Sequence, residues 1–263
     1  MRIVHISDVH FFQLSLSFKD LFSKKILGTL NQTLRRKLYN PQILDQFLTF
    51  LQKCHPSHIM ISGDFTTLSS VQEFHKAAAF VQKLESFGYK VFSIPGNHDK
   101  YTRESEKKEL FYRFISTPLS LRREGIAYEP LDDDWWYLGL DTSLATHWLS
   151  SQGLFSQELE GRLKQVLDNH PVGNPLIVVN HFPMLKGSCP KKHLIPSFFI
   201  PSQIQHSSNR CLVRIPHGCH VPKRLIISRA ELVDEVSRFF ISRCQIFNCN
   251  ILKTCAIQRN VHL

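Results

Sequence analysis

Short runs of aliphatic and β-branched residues recur through the first two-thirds of this chain, and four of them end on a residue able to hold a cation. Arg2–Ile6, His58–Ser62, Val91–Ile94, Trp135–Asp141 and Leu176–Asn180 read as strands. Asn40 caps a predicted helix that has Pro41 in its first turn, and Ile43, Leu44, Phe47, Phe50 and Leu51 form its apolar face. Val71–Phe87 and Gln157–Asn169 read as two more helices. Alternating strands and helices predict an α/β fold. In such sheets the loops at the carboxyl ends of strands converge on ligands. Asp8, Asp64, Asn97 and His181 each follow a predicted strand.

At 263 residues the chain is long enough for one substantial core, so a single large domain is expected. No apolar run approaches the roughly 20 residues that a membrane-spanning helix needs. Met1 leads directly into Ile3–Ile6, which predicts no secretory leader and a cytoplasmic protein. The seven cysteines contain no Cys-x-x-Cys pair, and six of them fall at Cys189 or later, so reduced thiols are expected rather than a disulfide framework.

The net charge of +10 points on its face to nucleic acid, anionic lipid or an acidic substrate. Its distribution weakens that reading. Residues 1–189 carry 21 Lys and Arg against 19 Asp and Glu, whereas residues 190–263 carry 11 against 3.

Taken singly, the candidate motifs are modest. Asp8-Val9-His10 places two donors on one side of an extended segment. Gly63-Asp64 alone marks a tight turn. Gly96-Asn97-His98-Asp99, after Pro95, sets an amide oxygen, an imidazole and a carboxylate in consecutive positions. Asn180-His181-Phe182-Pro183 offers a histidine that serves equally as a ligand or as a satisfied core residue.

Together, and in this order, Ile6-Ser7-Asp8-Val9-His10, Ser62-Gly63-Asp64, Pro95-Gly96-Asn97-His98-Asp99 and Val179-Asn180-His181-Phe182-Pro183 resemble the calcineurin-like metallophosphoesterases. Leu140-Asp141-Thr142-Ser143 is similar to a further phrase of that family that holds no metal. The resemblance covers roughly residues 1–185. It implies a four-layer αββα sandwich with two divalent metal ions, Mn, Fe or Zn, at the strand ends. By that likeness Asp8 and His10 hold one metal, Asp64 bridges both, and Asn97 and His181 hold the other. His98 becomes the catalytic imidazole beside the leaving group, and Asp99 orients it.

Two such ions about 3.5–4 Å apart lower the pKa of a shared water and clamp the phosphoryl oxygens. The implied reaction is hydrolysis of a phosphomonoester, phosphodiester or pyrophosphate bond. The alternative is a degenerate, non-catalytic scaffold of the same fold that binds protein or lipid.

Two features depart from the pattern. Phe18–Leu38 is an amphipathic insertion with Phe18, Leu21, Phe22, Leu27, Leu30, Leu34 and Leu38 at helical spacing and Lys24, Lys25, Arg35, Arg36 and Lys37 on the remaining surface. It reads as a packed helix, a lid, or a peripheral membrane contact, and it makes a nucleotide or nucleotide-linked lipid a substrate to consider. Residues 190–263 form a basic, Cys-rich tail holding one glycine and no run that reads as a closing strand, so a replaced or frame-shifted segment is one reading of it. Where the family has Gly-His-x-His, this tail has His217-Gly218-Cys219-His220. Those histidines stand three apart and reach one site only if the chain turns at Gly218.

Overall fold

A computed structural model describes residues 1–13, 42–146, 153–182, 225–228 and 243–248. The chain runs β1 (Arg2–Ser7), α1 (Gln42–Cys54), β2 (His58–Ser62), α2 (Val71–Ser86) and β3 (Lys90–Ile94). Three short helices follow, α3 (Arg103–Lys107), α4 (Leu110–Phe114) and α5 (Leu119–Glu124). Then come β4 (Ile126–Pro130), β5 (Trp136–Leu140), α6 (Gln157–Asp168), β6 (Leu176–Asn180), β7 (Leu225–Ser228) and β8 (Arg243–Asn248).

The strands form two four-stranded sheets, ordered β3-β2-β1-β8 and β4-β5-β6-β7. Within them β1, β2 and β3 run parallel, as do β5, β6 and β7, while β8 and β4 are antiparallel to their neighbours.

Period-two alternation sorts the side chains into layers. Ile3, Met60, Phe92 and Ile94 of the first sheet face Ala127, Tyr137, Ile177 and Val179 of the second, forming the inter-sheet core. The intervening residues point outward. Val4, Ile6, Ile59 and Ile61 meet Phe47 and Leu51 of α1 and Phe74, Ala77, Val81 and Leu84 of α2. Leu138, Leu140, Leu176 and Val178 meet Leu159, Leu163 and Leu167 of α6. The order of layers is therefore helix, sheet, sheet, helix, the αββα sandwich expected from the sequence. Each fully buried Leu, Ile or Phe in these layers contributes about 1.5–3 kcal/mol of transfer free energy.

Capping explains where the longer helices start. The Ser70 side chain accepts from Glu73 N, and the Glu73 carboxylate returns the bond to Ser70 N, opening α2 with a reciprocal box. Glu73 also accepts from Leu68 N at 2.9 Å and Gln13 N at 3.3 Å, so this buried carboxylate ties the loop after β2 to the segment after β1. Ser156 caps α6 by accepting from Leu159 N.

One expectation is overturned in the tail, where Leu225–Ser228 and Arg243–Asn248 do form strands. They extend both sheets, β7 beside β6 and β8 beside β1. Leu225-Ile226-Ile227 is too short an apolar run to stand out from basic surroundings by periodicity alone. The insertion 18–38, the Asn40–Pro41 cap and the His217–His220 phrase lie outside the described residues. Among the described residues no helix is long and apolar enough to cross a membrane.

Candidate metal centre

The loops after β1 and β2 continue as a distorted ladder beyond their strands. Asp8 N donates to Gly63 O at 3.1 Å, His10 N to Asp64 O at 2.9 Å and Phe11 N to Phe65 O at 2.7 Å. To keep these bonds while turning their side chains toward one point, Asp8, His10 and Asp64 adopt left-handed backbone angles, φ 58°, 51° and 58°. Asp and His tolerate that region better than most side chains, though at a cost in strain. Gly63 is required there by contact as well as by its φ of 89°: a Cβ on it would lie 2.5 Å from Gly96 N and 2.8 Å from His181 Nδ1.

The buried Asp64 carboxylate occupies the centre. Its Oδ2 faces His10 Nε2 at 3.7 Å, and its Oδ1 faces His181 Nε2 at 3.5 Å. Asp8 Oδ1 approaches the same His10 nitrogen at 3.8 Å, and Asn97 Oδ1 lies 3.1 Å from His181 Nε2. The side chains of Asp8, His10, Asp64, Asn97 and His181 thus come together in two groups that share one carboxylate. His98 joins them through its backbone N–H, 2.8 Å from Asp64 Oδ1, and its ring stands edge-on to that of His10 at 4.8 Å between centroids. His10, Asp64 and His98 each offer a donor atom within 4.8 Å of the others.

All three imidazoles are oriented alike. His10 Nδ1 pairs with Thr66 O at 3.2 Å, His98 Nδ1 with Thr67 O at 2.7 Å, and His181 Nδ1 with Ser62 O at 2.7 Å. A carbonyl only accepts, so each Nδ1 carries hydrogen, and each Nε2 of a neutral ring is left as a bare lone pair.

The donor set fits divalent cations. Donors that share an ion at about 2.0–2.2 Å lie about 3–4 Å apart, close to the spacings seen around Asp64. For a neutral His181, Nε2 and Asn97 Oδ1 are two acceptors facing each other, an arrangement that needs a proton or a cation between them.

Titration behaviour reflects the same crowding. Burial lowers the pKa of His10, but its contact with Asp8 and the charges of Asp64 and Asp8 outweigh this and push it up to about 9. His181 is likewise raised against the effect of burial, chiefly by Asp64 and then Asp8. Burial acts to raise Asp8, yet the His10 contact and the His181 charge hold it well below the usual carboxylate range. His98 goes the other way, lowered by burial first and by the facing His10 and His181. Asp99 is pushed up to about 6 by burial and by the Asp64 charge.

A family model described as calcineurin-like phosphoesterase matches residues 1–204, more than half of the sequence. The chain belongs to that family. No curated protein matches it. Among solved structures it is similar to a dimetal phosphatase from Danio rerio, at 12% identity and a TM-score of 0.41, with 70% of each chain covered. A second solved structure matches at 10% identity and a TM-score of 0.36, covering 90% of this chain and 88% of the other.

Calcineurin-like phosphoesterases typically bind divalent metals, and this chain carries a matching donor group. Two findings differ from the sequence reading or were missed by it. Thr67 O, not Asp99, receives the His98 Nδ1 hydrogen. The Asp99 carboxylate instead accepts from Gly96 N and Thr66 N, both at 2.9 Å, Phe65 N at 3.3 Å and Thr66 Oγ1 at 3.1 Å, binding the loop after β2 to the loop after β3. The missed element joins that second loop to the other sheet. Lys100 Nζ donates to Asp141 Oδ2 at 2.6 Å and to Ser143 O at 3.2 Å, and the Tyr112 hydroxyl donates to the same Asp141 oxygen. Asp141 Oδ1 accepts from Ser143 N and Oγ. In the sequence only the Leu140–Ser143 phrase pointed to this corner.

Proposed function

We propose that this protein is a binuclear metal-dependent phosphoesterase, with Asp8 and His10 holding one cation, Asn97 and His181 the other, and Asp64 bridging them. The observation that carries this reading is the placement of His10 and His181 against opposite oxygens of one Asp64 carboxylate, at 3.7 and 3.5 Å. A carboxylate has two oxygens and a negative charge, which suits it to a position between two cations.

Bound divalent cations supply Lewis acidity, which activates water and neutralises developing phosphoryl charge. The protein's own part is positional. The Nδ1–H bonds to Ser62 and Thr66 aim the two ligand imidazoles, and Asp99 holds the loops that carry Asp64 and Asn97 in register. His98 lies beside this cluster with Nε2 available. A substrate phosphoryl group brings negative charge next to that nitrogen and favours its protonated form, which then donates to the departing oxygen. Positioned acid catalysis of this kind contributes about 100- to 10,000-fold.

The substrate class is a phosphomonoester, phosphodiester or pyrophosphate, and the metals are drawn from Mn, Fe and Zn, whose preferences suit mixed oxygen and nitrogen donors. Elemental analysis of purified protein is the first test, with about two ions per chain expected. Turnover of bis(4-nitrophenyl) phosphate with manganese should then fall sharply in Asp64→Asn and in His98→Ala. Metal-free protein, or equal rates in all three forms, would leave a non-catalytic scaffold as the better account.

A further inference from the structure

Past the proposed ligands, the loop after β3 continues into Lys100 and Tyr101. The Tyr101 ring lies parallel to the His98 imidazole, 5.3 Å between centroids with 11° between planes. It covers one face of a ring whose Nδ1 is bonded to Thr67 O and whose neighbour on another side is the edge-on His10. A single hydrogen bond through Nδ1 leaves an imidazole free to rock about that bond, which swings Nε2 through an arc. A flat ring packed on the face removes the freedom.

Lys100 fixes where Tyr101 stands. The Lys100 side chain is 14% exposed and that of Asp141 8% exposed, and the pair tethers the loop to the end of β5. The Lys100 ammonium also lies 5.6 Å from the centroid of the Tyr112 ring. The residue before Tyr101 is therefore anchored on the second sheet, while the Tyr101 ring faces a histidine carried by the first.

We propose that Tyr101 is a positioning residue, bracing His98 so that Nε2 stays aimed at the oxygen leaving phosphorus; this rests on the phosphoesterase reading above. In the step concerned, water oxygen forms the new bond to phosphorus and releases a proton to solvent. The bond from phosphorus to the leaving oxygen breaks with its electron pair on that oxygen, which takes the proton from His98 Nε2. A misaimed acid harms poor leaving groups most, because they most need the proton. Misplacement of about 1 Å costs up to roughly 100-fold.

The test compares manganese-loaded wild type, Tyr101→Leu, Tyr101→Phe and Tyr101→Leu/His98→Ala on methyl 4-nitrophenyl phosphate and methyl phenyl phosphate. Tyr101→Leu should lower kcat on the phenyl ester about tenfold more than on the nitrophenyl ester, with KM and metal content unchanged. Tyr101→Phe, which keeps the ring, should restore most of the loss. Adding Tyr101→Leu to His98→Ala should cost nothing further, because the residue braced is gone. Equal losses on both esters, or additive losses in the double variant, overturn the proposal.

A readout free of turnover separates it from the reading beneath it. The His98 Nδ1–H resonance, protected by Thr67 O, should be seen by imidazole-detected NMR in wild type and Tyr101→Phe and be broadened by exchange in Tyr101→Leu. An unchanged resonance in Tyr101→Leu sinks the brace even if the protein proves inactive.

Discussion

Gly96 stands so close to Asp64 that a Cβ placed on the glycine would lie 2.2 Å from Asp64 Oδ1 and 2.5 Å from the Asp64 backbone nitrogen. The absence of a side chain at one residue thus sets the position of the carboxylate at the centre of the cluster. In sequence the two stand 32 positions apart and are linked only by belonging to Ser62-Gly63-Asp64 and Pro95-Gly96-Asn97.

Gly96→Ala should consequently damage the centre without unfolding the chain. The methyl group must push the Asp64 carboxylate away from His10 or His181, and changes of this kind typically cost about 10- to 100-fold in metal affinity. Metal titration followed by elemental analysis checks this, with circular dichroism to verify the fold. Full metal content with wild-type affinity would show that Asp64 tolerates the shift and is not the bridge.

Metal affinity should rise with pH across the neutral range. On the proposed assignment a cation would need the bare Nε2 of His10, and the metal-free ring holds its proton up to about pH 9. Below that value binding must expel the proton, so affinity climbs by up to about tenfold per pH unit and levels off once His10 is neutral. The same shift has a converse for the metal-free fold. A pKa raised from 6.5 to about 9 gives stability that is fully present below 6.5 and is lost as pH rises through 9. Calorimetric titrations with zinc in two buffers of different ionisation heat should detect the proton release. Heats independent of the buffer would contradict it.

Asp99→Asn should destabilise the protein more than an ordinary polar substitution. The carboxylate accepts from three backbone N–H groups and the Thr66 hydroxyl, and an amide in its place presents an NH2 to at least one of those donors. Leaving buried donors unsatisfied costs about 1–3 kcal/mol each. Chemical denaturation of the metal-free protein should show a loss in this range, and a change under about 0.5 kcal/mol, within the usual surface scatter, would mean that the loops are held together by other contacts.

Leu163→Ala provides the opposite control. Leu163 is 4% exposed within the layer between α6 and the second sheet, packed with Leu138, Leu159 and Leu167 away from the candidate metal centre. Truncation should cost about 2–5 kcal/mol of stability. Metal stoichiometry at low temperature should be unchanged. Loss of metal in this variant would mean that α6 packing reaches the site after all.

The sequence made the main strands legible because each is a compact apolar run whose polar terminus breaks it abruptly, whereas the layer order followed only from the family resemblance. His181 and Asp64 both stand out in the sequence as residues that follow strands, although nothing in the sequence marks their proximity. What escaped was carried by the main chain. The carbonyls of Ser62, Thr66 and Thr67 orient three histidines, and every residue type has a carbonyl, so no sequence signal marks them. The helices at 103–124 are five or six residues long, too short for a 3.6-residue period to emerge. Strand β4 carries the mixed sequence Ile-Ala-Tyr-Glu-Pro, which shows no clear alternation. Asp99 was legible as a site residue, but its neighbour in sequence, His98, is not the group it bonds.

His181 directly follows β6 of the second sheet, yet its Nδ1 bonds Ser62 O of β2 and its Nε2 faces Asp64. Four of the proposed donors, Asp8, His10, Asp64 and Asn97, therefore arrive on one slab of the sandwich and His181 alone on the other. A cation gripped there would act as a rivet between slabs, and its loss would loosen a joint that the apolar filling alone must then keep shut. Resistance of the whole protein to unfolding should accordingly track its metal load, making chelation a mechanical insult as well as a chemical one.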